Sequence, residues 1–455
     1  MPPKPKLITS IPKLIAEHRG KGVKYGLATY VDLHGVSKSK IVPIDHWDQM
    51  FQGSELFTGA ALDGVPQQVN DEEVAAHPDA ASGVICPWRP EVAWFASDLW
   101  LKGQPFPACS RVILKRQMAA AAKLGYIFHL GIETEFFVLK DGPDGTPVPS
   151  GSRNNRDKAA YDVVGFLDSY EWLDELVSAM NGLGWDVYSF DQEDAPGQFE
   201  TDFDYADAVT MSDRLTFFRL LVKEITHKHG FYPTFMPKPF GHLTGSGGHF
   251  NMSLADLKSG KNLFIDPKDK RGNKLSKLGY QFIAGVLRHA PAVCAAIAPT
   301  VNSYKRLVRR NAASGFTWAP IFACYGNNNR TNMLRIPLAG GRIECRAADI
   351  GCNPYLGAAM ILAAGLEGIR ENIDPGEPNL ENMYLLSQEE LDRRGIKQLP
   401  QTLSEAIEAF AADPLSKQVF GPEMFDSFVA YKRQEWQEYH SHVSDWEMKR
   451  YLKLW

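Results

Sequence analysis

Polar residues recur at every second position in several short stretches of the chain, interleaved with apolar ones. HLGIETEFFVL carries Glu133 and Glu135. SFDQEDAPGQFETDF carries Gln198 and Glu200, with Glu193 just ahead of the Pro196-Gly197 turn. GSGGHFNMSL alternates His249, Asn251 and Ser253 with Phe250, Met252 and Leu254, and GRIECRAAD sets Arg342, Glu344 and Arg346 against Ile343 and Cys345. Alternation of this kind predicts strands with one polar face, because side chains i and i+2 point the same way. Other stretches predict helices near 170–183, 212–229, 276–290, 355–371 and 422–440, and RVILKRQMAAAAKLG reads as a helix stopped by Gly125. Toward the N-terminus a lysine-containing arm leads into a short amphipathic helix. VKYGLATYVDLHG then predicts a strand closed by Gly35, SKSKIVPI its partner, and turns and strands follow from Asp45 to Leu101. GQPFPACS marks a boundary near residue 105. The expected class is α+β: a small domain over 1–105 and a large one over 106–455 on antiparallel sheet.

Composition narrows the partners. The 455 residues hold 49 Lys+Arg against 54 Asp+Glu, a formal charge of −5, which argues against a nucleic-acid or anionic-membrane binder but leaves room for a local basic pocket. The six cysteines form no CxxC pair and no zinc-type spacing, so reduced, buried thiols are expected. The N-terminal stretch lacks the apolar core of a signal peptide, and no apolar run reaches the ~18 residues of a membrane span. A cytoplasmic protein is expected.

Each polar strand taken singly has a plain alternative: a solvated acidic edge, an acidic loop, a hydrogen-bonded structural histidine. Together they are harder to dismiss, since burying charge is costly unless it is paired or metal-bound. Glu133 and Glu135 would repel each other, and a divalent cation is the common remedy. Five Glu, one His and two Arg on such faces suggest a cation site beside an anion site, the arrangement that phosphoryl transfer from a nucleotide requires. YKRLVRR (Tyr304 to Arg310) and NNNRTNMLR add Arg306, Arg330 and Arg335, for which a solvated basic loop is the alternative. No Walker A sequence occurs and GSGGHF does not fit GxGxxG, so a bound nucleotide would sit on neither a P-loop nor a Rossmann fold.

The order ExE, then E-x6-E ending GQFE, then PKPF…GSGGHxNxS, NSYKRL, NNR, RIExR and NPY resembles the glutamine synthetase family, and EYHSHVSDWEMKRYL resembles its C-terminal segment. Within that family the chain looks most like type III glutamine synthetases and γ-glutamylmethylamide synthetases. The resemblance implies a β-grasp-like N-terminal domain, a catalytic domain of the ATP-guanido kinase-like type on a curved antiparallel sheet, and a homo-oligomer of stacked rings, often a dodecamer. It implies that Glu135, Glu193 and Glu200 hold one Mg²⁺ or Mn²⁺ and that Glu133, His249 and Glu344 hold a second. Asn251 and Ser253 would touch ATP, with Arg330 and Arg335 near its phosphates. Gly247, Ser246 and Arg306 would bind the amino acid and Arg346 its carboxylate end, while Arg342 would neutralise the transferred phosphoryl group, so that Arg306, Arg335 and Arg342 form the catalytic set. The implied reaction phosphorylates the glutamate γ-carboxylate with ATP, and ammonia or methylamine captures the γ-glutamyl phosphate.

Three departures from the family pattern bear on the substrates. No acidic residue lies between Arg306 and Arg342, where typical members carry a glutamate that closes over the site. FTGAAL puts Thr58 where the family has an ammonium-binding aspartate, with Asp63 five residues on. Ser246 stands for the usual asparagine of the glutamate-binding turn, reaching less far and offering one donor. The altered ammonium site shifts weight toward methylamine or a larger primary amine such as an alkylamine, polyamine or aniline, and Ser246 leaves room for an acid related to glutamate. A guanidino kinase would share the catalytic architecture, but the N-terminal region and NSYKRL argue against it. A non-catalytic ring protein would have little reason to keep all six metal ligands.

Overall fold

A computed structural model of the chain describes residues 10–151, 153, 159–309 and 318–455. Arg310 and most of the segment that departs from the family after NSYKRL, residues 310–317, lie outside the described residues.

The helix Ile11–Gly20 leads into an eight-stranded sheet. Its strand Tyr25–Val31 runs parallel to Val92–Leu101 and antiparallel to Ser37–Lys38 and Ile41–Pro43, so SKSKIVPI is the expected partner, split in two. Trp47 is fully buried beneath it, edge-on to Phe95 at 5.3 Å.

The rest of the chain is built on two sheets. One orders its six strands as Ala206–Asp207, Tyr126–Ile132, Phe250–Asp256, Ile343–Cys345, Leu334–Ile336 and Tyr325–Asn327. The other orders Pro147–Pro149, Thr134–Asp141, Gln198–Phe203 and Val187–Gln192, with Tyr232–Thr234 also paired to Thr134–Asp141. The helices Ser110–Lys123, Tyr170–Gly182, Ala208–Lys228, Lys277–Arg288, Pro354–Arg370 and Pro422–Ser441 fall where the sequence pattern puts them. Lys277–Arg288 and Pro354–Arg370 cross at glycines: a Cβ on Gly285 would lie 2.0 Å from the Ala364 carbonyl oxygen, and one on Gly368 2.1 Å from that of Gln281. The α+β class holds, and all six cysteines are free and buried. Among the described residues no helix is long and apolar enough to cross a membrane.

Two knots of polar contacts join the first sheet to the rest. Arg111 is buried and pairs with Asp79 at 2.9 Å, Asp98 at 2.8 Å and Asp213 at 2.9 Å, and the Tyr355 hydroxyl donates to Asp213 at 2.7 Å. Asn353 caps Pro354–Arg370 by accepting from the Tyr355 and Leu356 N–H groups, while its own amide donates to the carbonyls of Asp32 and Leu33.

The expectation that Glu133 and Glu135 share one strand needs correction. Tyr126–Ile132 and Thr134–Asp141 belong to different sheets, and Glu133 is the hinge residue between them. Its N–H still donates to the His249 carbonyl at 3.1 Å and that of Glu135 to Gly247 at 3.2 Å, so the backbone turns from one sheet to the other without losing its partners. Both carboxylates thereby look into the cleft where the sheets diverge.

Candidate active site

The register of the five-stranded sheet puts three carboxylates in a row. Glu135 stands opposite Glu200, and Glu200 opposite Asp191 on the next strand. Like charges directly across a sheet destabilise it. Asp202, two residues beyond Glu200 on the same face, extends the row, and Glu193 follows the Asp191 strand into its turn. Burial, and then the neighbouring Glu135, pushes the Glu193 carboxyl up to about 8. Burial followed by Glu133 pushes Asp202 up to about 7. Glu200 is held well above the usual carboxylate range by burial, Glu133 and Glu135.

The six-stranded sheet supplies the other wall. Glu344 is fully buried opposite Asn251 on one side and Arg335 on the other. Arg335 donates to one of its oxygens and Arg346 to the other. His249 is buried at the start of the Phe250 strand, with Nδ1 2.8 Å from Glu133 and 3.8 Å from Glu344, and Nε2 3.6 Å from Glu135. Burial, then Arg346, depresses the imidazole to about 3, so it is neutral and able to act as a ligand. Asn251 donates to Glu133 at 2.8 Å and accepts from Arg342 Nε at 2.9 Å.

These groups surround a cavity of about 280 Å³ that takes in Glu133, Glu135, Glu193, Glu200, His249, Arg306, Arg330, Arg335 and Arg346. A second cavity of about 230 Å³ holds Asn251, Ser253 and Arg342. Glu133 and Asp202 line both, so the two spaces meet at the hinge between the sheets. Arg342 is thus brought to the Asn251 side, and Arg330 and Arg335 to the carboxylate side.

Gly247 and Ser246 stand behind the wall. The Gly247 N–H donates to Glu135 at 2.6 Å, and a Cβ there would lie 2.5 Å from His249 Nε2 and 2.9 Å from Glu135 Oε1 and the Arg306 guanidinium. Ser246 is fully buried, and its hydroxyl has no hydrogen-bond partner among the described residues. Arg306 is buried beside them, donating to the carbonyls of Arg346 and Ala347 and lying 3.3 Å from His249 Nε2. Gln198 braces the same turn, donating to the Gly245 carbonyl at 3.0 Å and accepting from Thr244 at 2.6 Å. Thr58 and Asp63 are not among the residues lining either cavity, and Thr58 is exposed, donating to Glu73.

Three sets of groups come close enough to share a cation: Glu133, His249 and Glu344; Glu135, Glu200 and His249; Asp191, Glu200 and Asp202. Crowded carboxylates whose protons are retained unusually high fit a divalent metal, which would replace the mutual repulsion with ligation. The sequence pattern does not single out Asp191 or Asp202, although Asp202 continues the Gln198–Glu200 alternation. Asp191 becomes informative only once the strand register is known.

A family model for the glutamine synthetase catalytic domain matches residues 107–451. The chain is 42% identical over 433 residues to a glutamate–methylamine ligase of Methyloversatilis universalis, covering 95% of this chain and 97% of that protein. It is 39% identical over 443 residues to a glutamine synthetase of Rhizobium leguminosarum bv. phaseoli, covering 97% and 99%. Among solved structures, a GmaS–ADP complex superposes with a TM-score of 0.89 at 38% identity, covering 96% of this chain and 99% of that one, and an apo GmaS with 0.88. With the catalytic-domain match spanning the two sheets and the cleft between them, and near full-length likeness on both counts, the chain belongs to the glutamine synthetase family.

Proposed function

We propose that the chain is an ATP-dependent ligase that joins the γ-carboxylate of glutamate to a small amine, with methylamine preferred to ammonia. The observation that carries the ligase reading is the row Glu135–Glu200–Asp191 facing Arg306, Arg330, Arg335 and Arg346 across one cavity, cation-binding and anion-binding groups within reach of one small substrate. The preference for methylamine is supported by the name of the 42% identical relative and by the absence of any acidic residue between Arg306 and Arg342.

Glu135, Glu193 and Glu200 would hold one divalent cation and Glu133, His249 and Glu344 a second, and these oxygen-rich sets suit Mg²⁺ or Mn²⁺. When bound, such ions neutralise phosphate oxygens and the charge that develops during transfer. Asn251, Ser253 and Arg342 would receive the nucleotide in the second cavity, and Arg306 and Arg346 the glutamate in the first. A γ-carboxylate oxygen attacks the γ-phosphorus of ATP, forming an O–P bond as the bond to the ADP oxygen breaks. The amine nitrogen then attacks the acyl carbon, and phosphate departs with the electron pair of the C–O bond while the amine gives up a proton. Arg335, fixed by Glu344, and Arg342 would hold positive charge beside the phosphoryl oxygens through both steps.

The exposed apolar residues Val443, Trp446, Leu452, Leu454 and Trp455, gathered in the last thirteen residues, support a homo-oligomer, for which a dodecamer is the reading. The test of function is phosphate release from ATP with glutamate and Mg²⁺, with ammonia, methylamine, ethylamine and a polyamine as separate acceptors and the product mass read in the same tubes. Fastest release with methylamine and a γ-glutamylmethylamide mass is expected. Fastest release with ammonia would reassign the donor, and no release with any amine would overturn the glutamate reading.

A further inference from the structure

Most of the groups that line the larger cavity are ionisable. Its apolar and aromatic lining comes from two short segments, Ala160-Tyr161 and Trp318-Ala319. Trp318 is 52% exposed, a large ring left open to a charged space rather than packed into the core. The Arg330 guanidinium carbon lies 6.0 Å from its ring centroid. The segment is held in place, with the Tyr384 hydroxyl donating to the Ala319 carbonyl and Leu399 N–H to Ile321 at 2.8 Å. Tyr161 is presented with equal deliberation. Its φ of +62° is one that a non-glycine residue seldom adopts, and its N–H is tied to the carbonyl of Gln192, the residue just before Glu193.

A primary alkylamine asks two things of a site: a carboxylate for its nitrogen and an apolar surface for its carbon. Asp194 lines the same cavity as Trp318 and supplies the first. An aromatic face supplies the second, since it attracts both a methyl group and an adjacent ammonium. Ammonia has no methyl group and gains nothing from the ring's apolar contact.

We infer that Trp318 is a specificity-determining residue, its ring forming the wall against which the N-alkyl group of the amine lies. The inference rests on the glutamate–amine reading of this cavity and names the group that selects within it. The test compares kcat/KM for methylamine and for ammonia in the wild-type enzyme, Trp318→Ala and Trp318→Phe, with glutamate and Mg²⁺-ATP saturating. Because a ratio is read within one preparation, loss of folded protein cancels. One methyl group in an apolar contact is worth about tenfold or more in discrimination, so the methylamine-to-ammonia ratio should fall about tenfold in Trp318→Ala and by less than about threefold in Trp318→Phe, with the KM for glutamate unmoved. A fall of less than about threefold in Trp318→Ala, in an enzyme that is active in its wild-type form, overturns the assignment of Trp318 alone. A wild-type enzyme inactive with every amine overturns the ligase reading and this inference with it.

Discussion

Glu200 meets Asp191 on one side and Glu135 on the other, and no guanidinium or ammonium is hydrogen-bonded to it among the described residues. Its folded environment opposes its charge, and either a retained proton or a bound cation relieves the repulsion. Glu200→Gln therefore raises the melting temperature of the metal-free protein by ~2 °C while reducing the further rise that Mg²⁺ gives the wild type, both read by scanning calorimetry with and without metal. Gly247 makes a different point. Its missing side chain lets Glu135, His249 and Arg306 converge, and a Cβ there has no room. Gly247→Ala should lower kcat/KM on the order of a hundredfold through displacement of those three groups, checked by steady-state assay alongside an unchanged far-ultraviolet spectrum. At this scale the sequence was informative about residue type. Alternation along GSGGHFNMSL marked His249, Asn251 and Ser253 correctly as sharing a face. In GRIECRAAD it put Glu344 and Arg346 on one face but said nothing about Arg335 closing on Glu344 from the neighbouring strand or Ser246 being sealed away, because those depend on how the strands and turns pack.

Among elements, helices were the most legible, their positions following from apolar spacing and capping residues. Pro354–Arg370 shows why: Asn353 accepts from two N–H groups of the first turn and Pro354 follows, a start signal written within three residues. The same asparagine ties the helix to the Asp32-Leu33 carbonyls. Asn353→Ala should cost about 1–2 kcal/mol, measured as a shift of the urea midpoint with unchanged slope, since cap and tie are lost together. The strands hid more. Period-two alternation runs through Glu133 unbroken, so nothing local announces that Tyr126–Ile132 and Thr134–Asp141 part into two sheets there. That divergence follows from which strands pair on either side, a property of the assembled fold.

For the whole molecule, the carboxylate row sets a pH dependence. Glu193, Glu200 and Asp202 keep their protons in the folded chain above the values they would have unfolded, 4.5 for Glu and 3.8 for Asp. Where the folded state binds more protons, stability falls as pH rises. His249, depressed from 6.5 to about 3, acts in the opposite sense but only below 6.5. Between pH 6.5 and about 8 the carboxyls act unopposed by it, with Asp202 lost first near 7 and Glu193 near 8. Metal-free protein should melt at progressively lower temperature across that window, and saturating Mg²⁺ should flatten the decline, since the ions favour the charged forms. The Arg111 knot with Asp79, Asp98 and Asp213 keeps the first sheet docked on the catalytic region.

The chemistry itself is read most directly by following an oxygen atom. If the γ-carboxylate attacks ATP and phosphate leaves from the acyl carbon, glutamate labelled with ¹⁸O in that carboxylate must pass one labelled oxygen to the released phosphate. With methylamine, Mg²⁺ and ATP, mass spectrometry should find one ¹⁸O in each inorganic phosphate formed alongside product. Unlabelled phosphate, released at the same rate as amide, would contradict an acyl-phosphate ligase.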